Sequence, residues 1–250
     1  MKYGLVGKKL DHSFSRTFFT EKFRQEHLKG IYLNFELPEI DNLPALISTH
    51  PDLLGFNVTI PYKKDIIAYL DRLSPISRAV GAVNTVKVER DGRTHGYNTD
   101  VIGFRDSLNQ FYEAAPGGKA LILGTGGASL AIDHVLQHYF QFDEIWYASR
   151  NPQQENHLAY AQVHETGLYD YRLIVNCTPV GTAPNIGDAP DLPYATLSKE
   201  NYLFDLIYNP EKSKFLLNGQ HQGAHIKNGM DMLVMQAEAS WDIWNGNNDI

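Results

Sequence analysis

Short apolar runs alternate with longer helix-like stretches along the whole chain. In the first half, strands are predicted at Tyr3–Val6, Ile31–Glu36 and Gly55–Ile60, and helices at Phe18–Gln25, Ile40–Ser48 and Lys63–Leu70. Two further extended runs, Ala82–Val88 and Thr94–Tyr97, flank Asp91-Gly92. This dipeptide suits a tight turn, so the segment predicts a hairpin. Strands separated by helical segments indicate crossover units and a mostly parallel sheet.

A second alternating series begins after the Pro/Gly-rich break at residues 114–118. Its strands are predicted at Ala120–Leu123, Ile145–Ala148, Leu173–Cys177 and Tyr202–Ile207, with helices between them and a last helix at Met232–Trp244. The chain therefore reads as α/β, built from two units. A cleft between two such units is the usual place for a small ligand.

Composition excludes more than it identifies. The 250 residues include 22 Lys+Arg and 29 Asp+Glu, a net charge of −7, without a basic block, so nucleic acid and anionic membranes are poor partners. The single cysteine, Cys177, excludes an internal disulfide, and no stretch reaches the roughly 18 apolar residues of a membrane helix. With no signal peptide, we expect a cytoplasmic protein that binds a small molecule.

A glycine-rich segment follows the first strand of the second series. Gly124, Gly126 and Ser129 occupy the three positions of the G-x-G-x-x-G pattern. Glycine permits a tight turn and a close approach of backbone N–H groups to a pyrophosphate, and a small third residue permits close helix–strand packing. We predict a dinucleotide site at Gly124, Thr125, Gly126, Gly127, Ala128 and Ser129.

The end of the next strand indicates which dinucleotide binds. Glu144 stands about 20 residues on, where an NAD ribose clamp would be expected, but it precedes the strand Ile145–Ala148. The far end of that strand carries Ser149, Arg150 and Asn151 and no carboxylate. A guanidinium pairs bidentately with phosphate oxygens, so this end favours the 2′-phosphate of NADP.

Four polar clusters in the first 100 residues follow strand candidates, where α/β sheets place ligand-binding groups. They are His12–Ser15, Asn57–Lys63, Gly81–Thr85 and Asn98–Asp100. Ser13 and Ser15 are two positions apart, so both hydroxyls can face one side of an extended loop; Asn57 and Thr59 repeat this spacing along a strand. Hydroxyls, amides, one lysine and one aspartate suit a small polyhydroxylated acid, and no His/Cys cluster suggests a metal.

The motifs and their order resemble the shikimate dehydrogenase family. S-x-S, N-V-T-x-P-x-K, G-A-V-N-T, N-T-D, G-x-G-G-A-S, N-x-T and a final G-x-x-M-L-V-x-Q cover essentially the whole chain. The resemblance implies reversible, NADP-dependent reduction of 3-dehydroshikimate to shikimate, a step toward aromatic amino acids. We expect an α/β substrate domain at 1–101 and 229–250, to which the C-terminal helix returns, and a Rossmann-like NADP domain at 102–228.

Carried over by motif, the resemblance implies roles for individual residues. Lys63 and Asp100 would be the catalytic pair. The substrate would be bound by Ser13, Ser15, Asn57, Thr59, Asn84, Tyr208 and Gln236. The cofactor would be held by the glycine-rich turn, by Ser149, Arg150 and Asn151, and by Thr178, Leu206, Gly229 and Met232. Reduction of a ketone by hydride needs a proton and a nearby positive charge at the developing alkoxide, and Lys63 can supply both.

The chain also departs from the family pattern. Val101 stands where Gly usually follows N-T-D, Gln153 and Gln154 stand where a second basic residue is common, and Asp231 replaces another glycine. Two alternatives stay open: an NAD-using quinate/shikimate dehydrogenase, and a catalytically silent sensor of shikimate-pathway metabolites. The presence of both Lys63 and Asp100 argues against a sensor, which needs no proton donor. Both a monomer and a homodimer are compatible with the sequence.

Overall fold

The computed structural model describes residues 1–10 and 13–246. The chain divides into two compact units. Unit 1 comprises Met1–Ile102 and Gln236–Ile250, and unit 2 comprises Gly103–Met235. Each unit contains one six-stranded sheet with helices, so the α/β class predicted from the apolar pattern is confirmed. Among the described residues, none of the helices has both the length and the apolar composition that a bilayer crossing requires.

Unit 1 begins with alternating strands and helices. These are β1 (Lys2–Gly7), α1 (Phe14–Gln25), β2 (Ile31–Glu36), α2 (Leu43–Thr49), β3 (Leu53–Val58), β4 (Arg72–Leu73), α3 (Pro75–Val80), β5 (Thr85–Val88), β6 (Thr94–Tyr97) and the first residues of α4 (Thr99–Asn109). The strand order is β2-β1-β3-β5-β6-β4. β1 is parallel to both neighbours, and β5 and β6 form the predicted antiparallel hairpin.

Local chemistry explains where two helices of unit 1 begin. The Ser13 hydroxyl accepts a hydrogen bond from the Arg16 N–H at 3.1 Å, so α1 begins at Phe14, four residues earlier than predicted. Ser74 caps α3 in the same way. The helix predicted over Lys63–Leu70 is wrong: this stretch contains turns and a short 3-10 helix, Asp65–Tyr69.

Unit 2 is a parallel α/β sheet. Its elements are β7 (Lys119–Leu123), α5 (Gly127–His138), β8 (Glu144–Ala148), β9 (His157–Leu158), α6 (Tyr160–Thr166), β10 (Tyr171–Asn176), β11 (Tyr202–Asp205), α7 (Lys214–His221), β12 (His225–Lys227) and the start of α8 (Met230–Trp244). The strand order β12-β11-β10-β7-β8-β9 is the 3-2-1-4-5-6 order of dinucleotide-binding folds, read from its far edge. The order reverses between β7 and β10, so ligands are expected beyond the carboxyl ends of these strands.

The last helix is shared between the units. Residues 229–235, which the sequence analysis assigned to the substrate domain, group with unit 2. The reason is local: the Gly229 N–H donates to the Ile207 carbonyl at 3.1 Å. From Gln236 onward, α8 belongs to unit 1, where Trp244 stacks on Tyr3 and donates from Nε1 to the Val86 carbonyl at 3.0 Å.

The core of unit 1 beneath α8 is aromatic. Tyr3, Phe19, Phe23, Tyr32, Trp241 and Trp244 have ring centroids about 5 to 6 Å from their neighbours, a spacing at which aromatic pairs attract beyond their area burial. A Cβ on Gly55 would lie 2.3 Å from Trp244 Nε1, so only glycine lets β3 approach this ring. The end of α8 is thereby fixed on the sheet.

Candidate active site

Lys63 and Asp100 form an ion pair within unit 1. Lys63 Nζ donates to Asp100 Oδ2 at 2.7 Å, and the two side chains are 15 % and 3 % exposed. Lys63 lies in the turns after β3 and Asp100 in the first turn of α4. The Val83 N–H donates to the Lys63 carbonyl at 2.8 Å, so the turns that carry Lys63 are bonded to the residues just before β5. A pair this buried is favourable only if further hydrogen bonds satisfy the carboxylate.

Asn84 supplies that further bond. Its Nδ2 donates to Asp100 Oδ1 at 2.9 Å and also lies 3.2 Å from Gln236 Oε1. Its Oδ1 accepts the Thr99 N–H at 2.7 Å. Because a carboxylate accepts and a backbone N–H donates, these neighbours fix which end of the Asn84 amide faces each of them. Four side chains predicted as site residues, Lys63, Asn84, Asp100 and Gln236, are thus joined in one hydrogen-bonded network.

Asn57, at the end of β3, extends this network. Its Nδ2 donates to Thr85 Oγ1 at 3.0 Å and to Ser240 Oγ at 2.9 Å. Its Oδ1 accepts the Tyr32 hydroxyl at 2.8 Å. Burial raises the pKa of Tyr32, so the phenol remains protonated and donates. Ser15 is hydrogen-bonded to the same phenol, which links α1 to Asn57.

Ser13 and Ser15 were expected in one extended loop, and Thr59 on the same strand as Asn57; both expectations are wrong. Ser13 has an extended backbone but caps α1, and Ser15 lies inside that helix, so the two serines do not share an extended loop. Thr59 lies just past β3, which ends at Val58 because Tyr62 N–H turns back to the Thr59 carbonyl at 3.0 Å. The four residues Ser13, Ser15, Asn57 and Thr59 nevertheless all belong to unit 1.

The glycine-rich turn of unit 2 joins β7 to α5. Gly124 has φ of +96°, a conformation that favours glycine, and Gly126 is the N-cap of α5. A Cβ on Gly126 would meet nothing within 4 Å, so the surface here is open. Ser129 is fully buried and donates to the Gly126 carbonyl at 2.6 Å. Thr125 is exposed and Ala128 half-buried beside this open surface.

Ser149, Arg150 and Asn151 follow β8 at the same sheet edge. Leu123, which precedes Gly124, pairs in register with Ala148, which precedes Ser149. The Ser149 hydroxyl accepts the Asn151 N–H at 3.2 Å, and the side chains of Arg150 and Asn151 are exposed.

A buried network lies at the ends of β10 and β11. Asn176 Oδ1 accepts both the N–H and the hydroxyl of Thr178, at 3.0 and 2.7 Å, and Asn176 Nδ2 donates to Asp205 Oδ1 at 3.0 Å. Asp205 also accepts the Ile207 N–H at 3.0 Å and the Ser213 hydroxyl. Burial raises the pKa of Asp205 to about 6.

Leu206, Tyr208, Gly229 and Met232 lie in unit 2. The Leu206 N–H donates to the Asn176 carbonyl at 3.0 Å, and a Cβ on Gly229 would lie 2.3 Å from the Leu206 carbonyl oxygen. Met232 is buried. Tyr208 is half-buried, which raises its pKa. Tyr208, predicted as a substrate ligand, therefore belongs to a different unit from the other six such residues.

Sequence reasoning missed several polar residues of these networks. They are Tyr32, Thr85, Thr99, Asn176, Asp205 and Ser240. Thr85 and Thr99 stand inside motifs that were recognised, and Ser240 follows Gln236 by one helical turn, so the spacing on α8 could have indicated it. Within the described part of the chain, no group of three or more His, Cys, Asp or Glu side chains could hold a metal ion.

Comparison with known proteins identifies the family. The family model for the shikimate dehydrogenase substrate binding domain matches residues 5–86. A shikimate dehydrogenase (NADP(+)) from Caldanaerobacter subterraneus subsp. tengcongensis is 35 % identical over 263 residues, covering 98 % of this chain and 91 % of the relative. The chain belongs to the shikimate dehydrogenase family.

Solved structures of shikimate dehydrogenases match over both units. The chorismate mutase/shikimate 5-dehydrogenase fusion protein from Clostridium acetobutylicum has a TM-score of 0.86 and 37 % identity, covering 98 % of this chain and 90 % of that one. Shikimate 5-dehydrogenase from Thermus thermophilus, solved with NADP(H) and shikimate, has a TM-score of 0.84 and 29 % identity. The match covers 98 % of this chain and 94 % of that one.

The turn between β7 and α5 fits the dinucleotide that family membership implies. The open surface at Gly126 leaves room for a pyrophosphate against the backbone, and the first turn of α5 carries no acidic residue to repel it. Arg150 adds an exposed cation at the neighbouring strand end. The donor set of this shikimate dehydrogenase fold therefore suits an anionic cofactor.

Proposed function

We propose that this protein is an NADP-dependent shikimate dehydrogenase, which interconverts 3-dehydroshikimate and shikimate. The observation that carries the proposal is the Lys63–Asp100 pair, 2.7 Å long and held by Asn84. Membership of the family, and relatives that carry this activity in their names, support it over nearly the full chain. A protein that only sensed the metabolite would have no need of a proton donor at this position.

We assign the substrate to the polar cluster of unit 1. Asn57, Asn84 and Gln236 offer amide groups, and Ser13, Ser15 and Thr59 offer hydroxyls, which suit the ring hydroxyls and the carboxylate of shikimate. Tyr208, which lies in unit 2, stays a predicted substrate ligand.

The bound cofactor supplies the hydride that reduces the C3 ketone. One Lys63 N–H is already donated to Asp100, so the carboxylate orients the ammonium, while another N–H can be donated to the substrate oxygen. As negative charge develops on that oxygen, Lys63 stabilises it and transfers the proton, then regains one from solvent. In the oxidative direction the neutral amine accepts the hydroxyl proton.

We assign the cofactor to the carboxyl edge of the unit 2 sheet. Residues 124–129 would receive the pyrophosphate, and Ser149, Arg150 and Asn151 the 2′-phosphate. Thr178 and Leu206 would complete the cofactor site, and Gly229 and Met232 would border the nicotinamide. Arg150 supports NADP over NAD, because a guanidinium–phosphate pair is among the stronger hydrogen-bonded contacts.

One spectrophotometric assay tests the proposal, by crossing shikimate and quinate with NADP⁺ and NAD⁺. We expect shikimate with NADP⁺ to give the highest kcat/KM, by about tenfold or more over NAD⁺, the effect of one charged hydrogen-bonded contact. A preference for quinate or NAD⁺ would favour the quinate/shikimate dehydrogenase alternative. Binding of shikimate without turnover of any pair would favour the sensor.

A further inference from the structure

Ser240 lies on α8, one turn after Gln236, and is fully buried. Its Oγ lies 2.9 Å from Asn57 Nδ2, 2.8 Å from Thr85 Oγ1 and 3.2 Å from Thr99 Oγ1. It also donates to the Gln236 carbonyl at 2.8 Å. A bond from a helical serine to the carbonyl four residues earlier is common, but it accounts for only one of these contacts.

The hydroxyls of Thr85, Thr99 and Ser240 form a closed triangle, with sides of 3.1, 2.8 and 3.2 Å. Each hydroxyl has one proton to donate and can accept two. Asn57 Nδ2 can only donate to the triangle, and the main-chain carbonyl of Gln236 can only accept from it. Ser240 therefore accepts from Asn57 Nδ2 and donates its one proton to the main-chain carbonyl of Gln236. The protons of Thr85 and Thr99 remain, so at most two of the three sides of the triangle are hydrogen bonds at one time.

The hydroxyl triangle also faces the oxygen of Asn84. Thr85 Oγ1 and Thr99 Oγ1 each lie 3.2 Å from Asn84 Oδ1, beside the Thr99 N–H. The Thr99 N–H holds the amide oxygen on this side, so Nδ2 points toward Asp100 and Gln236. Because each hydroxyl has one proton, a threonine that donates to this oxygen does not donate within the triangle. If the amide were reversed, its oxygen would face the Asp100 carboxylate, which is unfavourable without a donor between them.

We propose that Ser240 is a positioning residue of the substrate site. Its hydroxyl fixes α8 in register against β3, β5 and α4, so that Gln236 meets Asn84 at the orientation the substrate requires. Ser240 acts through Gln236 and through the threonines of the triangle. This inference rests on the proposed function, because the side chains it orients are those assigned to the substrate.

The first test is Ser240→Ala. Alanine is a good helix former, so the fold should persist. We expect kcat/KM for shikimate, at saturating NADP⁺, to fall about five- to thirtyfold, the effect of one or two lost hydrogen bonds, with most of the change in KM. KM for NADP⁺ should change less than twofold.

Ser77→Ala is the matched control. Ser77 is also a fully buried helical serine of unit 1, and its hydroxyl is bonded to Ser74 Oγ at 3.0 Å rather than to the site network. If loss of a buried serine hydroxyl only weakened the fold, both variants would lose thermal stability and neither would change KM selectively. We expect only Ser240→Ala to raise KM for shikimate, and equal effects of the two substitutions on KM would overturn the proposal.

The second test is a double-mutant cycle with Gln236→Ala. If Ser240 acts through Gln236, the double variant should lose at least threefold less than the product of the two single losses in kcat/KM. Strictly multiplicative losses would overturn the proposal. Should the wild type show no shikimate turnover, the proposed function fails instead, and calorimetric binding of shikimate to wild type and Ser240→Ala still tests positioning.

Discussion

At the scale of single residues, the proposed catalytic group is Lys63, whose ammonium is held by its neighbours. Asp100 is almost fully buried and is bonded to Lys63 and Asn84. The Lys63 ammonium keeps 15 % of its side chain exposed, so it is reachable by a small ligand while its partner is not. This asymmetry suits a proton donor oriented by a carboxylate.

Replacement of this lysine gives a direct prediction. Lys63→Ala should lower kcat by about 10²–10⁴-fold, because the alkoxide loses both its proton donor and its stabilising charge. Shikimate should still bind, since the amides and hydroxyls of the site remain. Steady-state kinetics and calorimetric binding measure the two effects separately.

The neighbouring residue provides the control for that prediction. Lys64 has the same side chain, is exposed, and carries the same charge. Lys64→Ala should leave kcat within about twofold of wild type, since exposed charges contribute little at a distance. Turnover near the wild-type rate in Lys63→Ala would contradict its catalytic assignment.

At the scale of elements, the ends of strands and helices carry the chemistry. In unit 2, β7, β8, β10 and β11 are parallel and their carboxyl ends pair in register, so the segments that follow them meet at one sheet edge. The start of α8 joins the same edge, because Gly229 packs directly on the Leu206 backbone. A close approach of this kind admits no side chain.

A methyl group at this contact gives a second prediction. In Gly229→Ala the new Cβ would lie 2.3 Å from the Leu206 carbonyl oxygen and 2.7 Å from its carbon, so backbone must shift. We expect a loss of about 1–3 kcal/mol in unfolding free energy, as for other overpacked sites. KM for NADP⁺ should rise as well. Urea unfolding and steady-state kinetics measure these changes.

Gly187→Ala is the matched control in unit 2. A Cβ on Gly187 meets nothing within 4 Å, and its backbone is not left-handed. This variant should unfold within about 0.5 kcal/mol of wild type. If the two alanine variants proved equally stable, the close contact between Gly229 and Leu206 would be refuted as the cause.

At the scale of the whole molecule, net charge says little about the ligands. The chain carries −7, yet the proposed substrate and cofactor are both anions. In the proposed site, the groups that would attract them are Lys63 in unit 1, and Arg150 with the N-terminus of α5 in unit 2. Screening by salt limits the reach of distant surface carboxylates to about 8 to 10 Å, so local cations dominate.

The pH dependence of stability gives a third prediction, set by Asp205. Its folded pKa of about 6 exceeds the ordinary value of 3.8, so the folded chain binds this proton more tightly than the unfolded chain. The resulting stabilisation is complete below about pH 4 and is lost as the pH rises through 6. Wild type should therefore lose up to about 3 kcal/mol relative to Asp205→Asn between pH 4 and pH 7.

Urea unfolding of both proteins at the two pH values measures this difference. Changes in hydrogen bonding that asparagine introduces are present at both values and cancel. An unchanged difference between wild type and variant would contradict the raised pKa.

Much of the fold could be predicted because strand and helix periodicity is local. β2 and β6 have their predicted bounds, and the hairpin followed from Asp91-Gly92. Two helix predictions in the first half differ from the structure. Ser13 moved the start of α1 by capping it, and the segment after β3 formed turns and a 3-10 helix instead of a longer helix.

The sequence by itself determined the α/β class and the glycine-rich dinucleotide turn, because residue type and spacing within short segments encode these features. The roles of Lys63 and Asp100 were predicted from the resemblance of the motifs to the family. Only the tertiary structure decided which distant side chains meet: Asn84 with Gln236, 152 positions away, and Asn57 with Ser240, 183 positions away. No local pattern specifies such contacts. They depend on the aromatic packing that fixes the end of α8 against the sheet of unit 1.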